Sequence, residues 1–268
     1  WLSLCSCSRW RQSAGLRNLA ASRLGAREIE MRCRRCVLVL AFLGLACATP
    51  RQLVSVETLV RSEVESGLGG EERTRIDRAR AFVAAGNVTG AFEELDAVIL
   101  AFESRTTDAD ATYVSVANAA EFANFRVEHP SARVVWLDWS YGEAFRMRAF
   151  LLASQQRFVE ALAALKEGAR IAPYDASGNT ERGYVLNSLG KPREALASYE
   201  EALRLSRRFS SGAGWQATAL RGIGVSLIEL GELDRAETAL RESLEVEPDN
   251  ALAQNELLYI SNLRSRPR

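Results

Sequence analysis

Three stretches of this chain repeat one another, and their spacing constrains the fold more than any other feature. They read QRFVEALAALKEGARIAPYD from Gln156, GKPREALASYEEALRLSRRF from Gly190 and GELDRAETALRESLEVEPDN from Gly231. An alanine stands five places after each start, and the first two of these alanines are 34 residues apart. The next interval is 41 residues, which is the same period plus an insertion of seven around 210–216. A period of this length indicates stacked copies of one supersecondary unit.

Residue size is also conserved in phase between the copies. In each copy the start is followed by a small residue, then a large one, then a second small one, and a further small residue precedes the start. The first small residues are Ala161, Ala195 and Ala236, the large residues are Leu165, Tyr199 and Leu240, the second small residues are Gly168, Ala202 and Ser243, and the preceding small residues are Ala149, Gly183 and Gly224. Helical spacing places these positions on one face of paired helices. Small residues let two helix axes approach, and Gly190 and Gly231 are suited to end a helix in the left-handed conformation.

This pattern resembles the tetratricopeptide repeat, a helix–turn–helix unit of 34 residues. The resemblance is close over 142–250 and implies an all-α fold, a right-handed superhelix of four to five helical hairpins with a C-terminal capping helix. The expected units lie at about 72–105, 106–141, 142–175, 176–209 and 217–250, with the capping helix and tail at 251–268. The unit at 106–141 is degenerate. We expect it to be helical up to about Glu128 and to begin a second helix after Pro130.

The N-terminal region has the order of an export signal. Residues 31–48, MRCRRCVLVLAFLGLACA, place arginines before an apolar run that is too short to span a membrane and that ends in small residues. We therefore expect a signal peptide at 31–48, an over-extended and disordered gene start at 1–30, and a linker with a short helix at 49–71. The alternatives are a lipobox, in which Cys47 would be lipidated and hold the chain on a membrane, and a buried N-terminal helix. The expected location is the periplasm or a membrane-anchored lipoprotein.

The composition of residues 49–268 leaves few of the cysteine and histidine side chains on which many catalytic sites depend. All five cysteines lie in the first 47 residues, and His129 is the single histidine. Residues 49–268 hold 26 basic and 32 acidic side chains, and this net charge of −6 does not favour binding to nucleic acid. The pairs Cys5/Cys7 and Cys33/Cys36 have poor spacing for a zinc site. We predict that the protein is not an enzyme and has no catalytic residue, no cofactor and no metal.

The resemblance also implies a binding surface. In the family, the first helix of each hairpin lines a concave groove, and carrying those positions over by phase gives Arg146, Phe150, Tyr184, Asn187, Arg221 and Glu229. Aromatic residues and arginine are the types that anchor protein interfaces. Some family members hold a peptide's terminal carboxylates with Lys and Asn, but Phe150 and Glu181 occupy two of the corresponding Asn positions here. We do not expect that carboxylate-binding mode.

These features lead to one expected function and two alternatives. We expect a non-enzymatic scaffold or assembly factor of the bacterial cell envelope that binds a partner protein or peptide in the groove. The aromatic residues between Trp136 and Tyr141 suggest the first alternative, an accessory subunit of an envelope enzyme or a glycan- or peptide-processing enzyme. Rings that line an open pocket with a pair of carboxylates would favour the enzyme, and rings buried between hairpins would favour the scaffold. The second alternative is self-association.

Overall fold

The computed structural model describes residues 69–265. The predicted signal peptide at 31–48, the gene start at 1–30, Cys47 and nearly all of the linker at 49–71 lie outside the described residues. Ten α-helices and two β-strands follow one another in the described part. The helices are α1 Gly70–Ala84, α2 Val88–Glu103, α3 Ala119–Glu128, α4 Ser140–Ser154, α5 Phe158–Ile171, α6 Ala176–Ser188, α7 Pro192–Arg208, α8 Gln216–Glu229, α9 Leu233–Val246 and α10 Ala251–Ser265, and the strands are β1 Ala111–Ser115 and β2 Arg133–Leu137.

Eight of the helices form four antiparallel hairpins: α1 with α2, α4 with α5, α6 with α7, and α8 with α9. The turn inside each hairpin contains one residue with a left-handed backbone. It is Gly86, Gln156, Gly190 or Gly231, with φ between 62° and 77°. Glycine adopts this conformation without a steric penalty, whereas a residue with a Cβ atom does not. The prediction that Gly190 and Gly231 end helices in this way is confirmed.

Buried side chains between successive hairpins hold the stack together. Ile76, Leu95 and Leu151 belong to one buried cluster that joins the first two hairpins. A second cluster joins the last two hairpins to α10, whose Ile260 is 1% exposed. Burying apolar surface contributes roughly 25 cal/mol per Å², so α10 stabilises the last hairpin by covering its apolar side. This is the capping helix expected at the C-terminus of a solenoid.

The segment 106–141 is not a helical hairpin, and this expectation from the sequence is wrong. The predicted helix that ends at about Glu128 is present as α3, but β1 precedes it, and Pro130 is followed by β2, so that the next helix begins only at Ser140. The two strands pair in parallel, from Ala111 opposite Arg133 to Ser115 opposite Leu137. Both strands are rich in β-branched and aromatic residues, which favour strands over helices. The helix between them, α3, is capped at its N-terminus by Asn118, whose side chain accepts hydrogen bonds from two backbone amides at 3.1 Å.

The β1–α3–β2 insertion packs against the second half of the solenoid. Val114 and Phe125 share a buried cluster with Leu205 and Phe209 of the α7 region. The hydroxyl of Tyr174, in the loop between α5 and α6, donates a hydrogen bond to Glu128 at the end of α3. Arg208 Nη2 of α7 donates to the other carboxylate oxygen of Glu128 at 2.6 Å. The insertion is therefore fixed against two hairpins that are distant in sequence from its strands.

Within residues 69–265, each helix is too short or too polar to cross a lipid bilayer.

Candidate functional site

A cavity of about 190 Å³ lies between the β1–α3–β2 insertion and the helical hairpins that follow it in the sequence. Its wall comes from the end of β1 and the start of α3, the first turn of α4, the loop before α6, and a 3₁₀ helix at Ser210–Trp215. The side chains that give the wall its chemistry are two tryptophans, one tyrosine, three carboxylates and three serines: Trp139, Trp215, Tyr174, Glu121, Glu143, Asp175, Ser115, Ser177 and Ser211.

The aromatic residues singled out in the sequence are divided between this cavity and the core. Trp139 lines the cavity. Trp136 lies inside the insertion, where its ring stacks on Phe122 at 5.1 Å between centroids and its Nε1 donates to the backbone of Val116 at 3.1 Å. Tyr141 is buried against Phe102, with centroids 4.2 Å apart, and burial raises its pKa to about 12. Trp136 and Tyr141 are therefore packing residues, and Trp139 is the ring that a ligand could reach.

Glu143 is the carboxylate of the cavity wall that has cationic partners. Arg80 Nη2 donates to Glu143 Oε1 at 2.9 Å, and Arg146 Nε donates to Glu143 Oε2 at 3.1 Å. Burial alone would raise the pKa of Glu143, but the two guanidinium groups outweigh it and hold that pKa below its usual value. Burial likewise opposes the charge of Arg146, and the carboxylates of Glu143, Asp175 and Glu181 raise its pKa above its usual value.

Glu121 and Asp175 line the same cavity and accept hydrogen bonds from neutral donors, although the charge of Arg146 also acts on Asp175. Glu121 is 3% exposed and accepts hydrogen bonds from Ala117 N at 2.9 Å, from Asn118 Nδ2 at 3.2 Å and from the Ser211 hydroxyl. Asp175 accepts one from Ser177 Oγ at 2.6 Å. Over the part of the chain that the structure describes, the hydrogen-bond donors to these two carboxylates are all neutral groups.

A further carboxylate next to this site has its charged form disfavoured. Burial raises the pKa of Glu181 on α6, and repulsion from Asp175 raises it further, while the charge of Arg146 offsets only part of the effect.

Five of the six predicted groove residues have contacts within the protein. Arg146 pairs with Glu143, and its guanidinium lies 6.0 Å from the ring centroid of Trp215. Arg221 Nη1 donates to Glu247 Oε2 at 2.5 Å, which ties α8 to the end of α9. Asn187 Nδ2 of α6 donates a hydrogen bond to Ser226 Oγ of α8 at 3.0 Å. Phe150 packs against the buried cluster of the first two hairpins.

Tyr184 and Glu229 complete the predicted groove set. Tyr184 is half-buried and packs against the cluster that joins α4, α5 and α6. Glu229 is exposed at the end of α8. The first helices α4, α6 and α8 lie side by side, so these positions follow one surface of the stack. Whether a partner touches them remains a prediction.

Sequence reasoning missed the cavity because its wall is assembled from distant segments. Trp215 falls in the insertion at 210–216, which breaks the 34-residue period and forms a 3₁₀ helix followed by α8. Glu121 falls in the segment expected to be a degenerate repeat. The sequence feature that could have indicated the cavity is the break in the 34-residue period at 106–141 and at 210–216, since residues of both segments line the cavity.

Among residues 69–265, no three His, Cys, Asp or Glu side chains lie close enough together to hold a metal ion.

Comparison with known proteins identifies the repeat. Residues 174–247 match the sequence profile of the tetratricopeptide repeat family. Among solved structures, MamA of Desulfovibrio magneticus RS-1, taken from residue 41 to its end, is similar over 74% of this chain and 87% of its own, with 13% identity and a TM-score of 0.50. A tetratricopeptide repeat protein from Parabacteroides merdae is similar over 73% of this chain and 61% of its own, with 17% identity and a TM-score of 0.48.

Among shorter matches, the first TPR domain of Spaghetti (RPAP3), bound to an HSP90 peptide, is similar over 47% of this chain and 94% of its own, with 24% identity and a TM-score of 0.42. No curated protein matches the chain in sequence. The repeat match and the four stacked hairpins define the fold as an all-α tetratricopeptide-type superhelix, which carries one two-stranded insertion.

Proposed function

We propose that the protein is a non-enzymatic scaffold or assembly factor that binds a partner protein or peptide on the surface formed by α4, α6 and α8. The observation that carries the proposal is the cavity at one end of this surface, where two tryptophans and three carboxylates surround empty space. Aromatic residues beside a few polar groups are typical of sites that anchor a partner's side chain. Because successive hairpins repeat the same geometry, the surface extends from the cavity along the stack.

The alternative function, an enzyme or an enzyme's accessory subunit, draws support from the same cavity, because Trp139 lies there beside Glu143 and Asp175. Two observations favour the scaffold. Glu143 is neutralised by Arg80 and Arg146 and is not poised to exchange a proton. The volume of about 190 Å³ is also below the roughly 300–1,000 Å³ typical of small-molecule sites.

Site-specific photo-crosslinking tests the scaffold proposal. The photoreactive residue p-benzoylphenylalanine would replace Glu229 at the end of α8 or, as the matched control, Val159 on the second helix of a hairpin, where the side chain is 73% exposed. We expect irradiated cells to give a discrete crosslinked partner from position 229 and none from position 159. The same partner from both positions, or none from either, would overturn the groove assignment.

A substitution test complements the crosslinking. The double variant Tyr184→Ala/Arg221→Ala should recover less of the crosslinked partner than the wild type does, since it removes an aromatic and a cationic anchor from the surface. The double variant must keep the helical circular dichroism spectrum of the wild type, because Arg221 also forms an ion pair with Glu247. Equal recovery by the two forms would count against the proposed surface.

We propose further that the protein acts in the bacterial cell envelope, either in the periplasm or anchored to a membrane through Cys47. The support is the order of basic, apolar and small residues at 31–48. Metabolic labelling with a palmitate analogue should mark the wild type and leave Cys47→Ser unmarked if the lipoprotein form is correct. Unlabelled protein in the periplasmic fraction would favour removal of the signal peptide at 31–48 without lipidation, and unprocessed protein in the cytoplasm would contradict export.

A further inference from the structure

We propose that the cavity between the β1–α3–β2 insertion and the solenoid receives one cationic side chain, arginine or lysine, from the partner polypeptide. This inference rests on the proposed function and names the chemistry that the partner presents. It predicts that the cavity binds a basic residue of the partner and does not bind an acidic one.

The first support is a shortage of positive charge in the cavity wall. Three carboxylates line the cavity, and no Arg, Lys or His is among its lining residues. Glu143 is compensated by Arg80 and Arg146, but Glu121 and Asp175 have only neutral hydrogen-bond donors among the described residues, and the guanidinium of Arg146, which also acts on Asp175, is already paired with Glu143. A carboxylate that is 97% buried is stabilised when a counter-charge reaches it, because burial removes the water that would otherwise solvate it. A cationic side chain in the cavity would supply that counter-charge.

The second support comes from the two indole rings. Each already has a guanidinium of the chain itself near one side: Arg80 lies 5.7 Å from the Trp139 ring centroid, and Arg146 lies 6.0 Å from that of Trp215. Distances of about 6 Å are those of favourable cation–π contacts. Both rings also line the cavity. The protein thus uses the same rings, together with Glu143, to hold guanidinium groups internally.

Size and donor geometry favour one organic cation. An engineered cavity of about 150 Å³ admits a benzene molecule, so about 190 Å³ has room for one long side chain. Among residues 69–265 the acidic side chains are not grouped closely enough to share a metal ion. Lysine and arginine carry an apolar stem that can contact the rings while the charged head meets the carboxylates.

Fluorine NMR of the full chain labelled with 5-fluorotryptophan tests the inference directly. The probes are the blocked tripeptides acetyl-Gly-Arg-Gly-amide and acetyl-Gly-Lys-Gly-amide, with citrulline in place of arginine as the neutral isostere and glutamate as the acidic control. We expect the basic tripeptides to shift the resonances of Trp139 and Trp215 with a dissociation constant on the order of 1 mM, as suits a single side chain. Trp136, which is held inside the insertion, should not shift.

Isosteric variants then test the role of charge. Asp175→Asn and Glu121→Gln should each weaken binding of the arginine tripeptide by roughly tenfold, since each removes one charge-assisted contact. Asp249→Asn, which changes an exposed aspartate before α10, should leave binding unchanged. Unchanged fluorine spectra in the absence of peptide establish that the variants are folded.

The outcomes separate this inference from the function on which it rests. Equal binding of the arginine and citrulline tripeptides, preference for glutamate, or no shift with any basic tripeptide would overturn the cationic site. If position 229 still crosslinks a partner in that case, the scaffold proposal stands and only the chemistry of this cavity is wrong. Binding of basic tripeptides without any crosslinked partner would instead support the cavity and remove the wider surface.

Discussion

The ring of Tyr199 on α7 fills the space that a Cβ atom at Gly222 on α8 would occupy, because such an atom would be 2.2 Å from Tyr199 Cε1. The other edge of the same ring lies against α6, where a Cβ atom at Gly183 would be 2.6 Å from Cε2. The tyrosine is 6% exposed and thus packs between two glycines of successive hairpins. This contact sets the distance between α6 and α8, and therefore the spacing of the proposed binding surface.

Gly222→Ala should destabilise the protein although alanine is the better helix former. Alanine gains up to about 1 kcal/mol in a helix over glycine, but displacing a packed ring costs about 1–3 kcal/mol. We therefore expect the free energy of unfolding to fall by about 1–2 kcal/mol, measured by urea denaturation. Gly214→Ala is the control, since a Cβ atom there meets nothing within 4 Å. Equal urea midpoints for the two variants would show that the ring is not tightly held.

Ala195→Leu should overpack the contact between hairpins. Ala195 is fully buried on α7, and a longer side chain there would lower the free energy of unfolding by about 1–3 kcal/mol. Ala197→Leu is the matched control on the same helix, because Ala197 is exposed and its replacement should change stability little. Thermal unfolding followed by circular dichroism compares the pair. A loss of similar size at both positions would point to helix propensity and away from packing.

Gln156→Gly should stabilise the protein. Gln156 has φ 62°, the conformation that the other three hairpins reserve for glycine. A residue with a Cβ atom destabilises the folded state there by roughly 1–2 kcal/mol. Glycine also has greater freedom in the unfolded chain, which offsets part of the benefit, so we expect the free energy of unfolding to rise by about 1 kcal/mol. The reciprocal change, Gly231→Gln, should lower stability by a similar amount. Urea midpoints that move in the same direction for both changes would contradict this account.

Glu181→Gln should stabilise the protein at neutral pH, and the gain should vanish in acid. Burial raises the pKa of Glu181 in the folded state above its ordinary value of 4.5. Its ionisation therefore opposes folding once the pH exceeds that value, whereas the protonated acid and glutamine are equivalent below it. Urea midpoints at about pH 7 and about pH 4 measure the difference. The exposed Glu245→Gln serves as control, and a gain that persists in acid would rule out this explanation.

The repeats could be predicted because their determinants are local. The interval between Ala161 and Ala195 and the glycines at 190 and 231 are visible in the sequence, and the structure confirms the all-α superhelix and the left-handed turns. The segment at 106–141 could not be assigned in the same way. Its strands pair only with each other across 22 residues, from Ala111 to Arg133, and this pairing leaves no periodic mark in the sequence.

The candidate site was predicted only in part. The phase of the repeats placed Arg146 and Arg221 on first helices, but it did not show that each is engaged by a carboxylate, Glu143 and Glu247 respectively. The side chains that make the cavity distinctive, Glu121 and Trp215, lie in the two segments that depart from the repeat.

The sequence by itself determined the hairpin turns and the repeating small and large positions of each unit, because these features lie within a single hairpin and recur at a fixed interval along the chain. Only the tertiary structure decided that a parallel pair of strands lies against the solenoid and closes a cavity lined by acidic and aromatic side chains. The physical reason is that Glu121 and Ser211, which meet across that cavity, are separated by 90 residues. Contacts of such range depend on how the hairpins and the insertion pack, which no local pattern encodes.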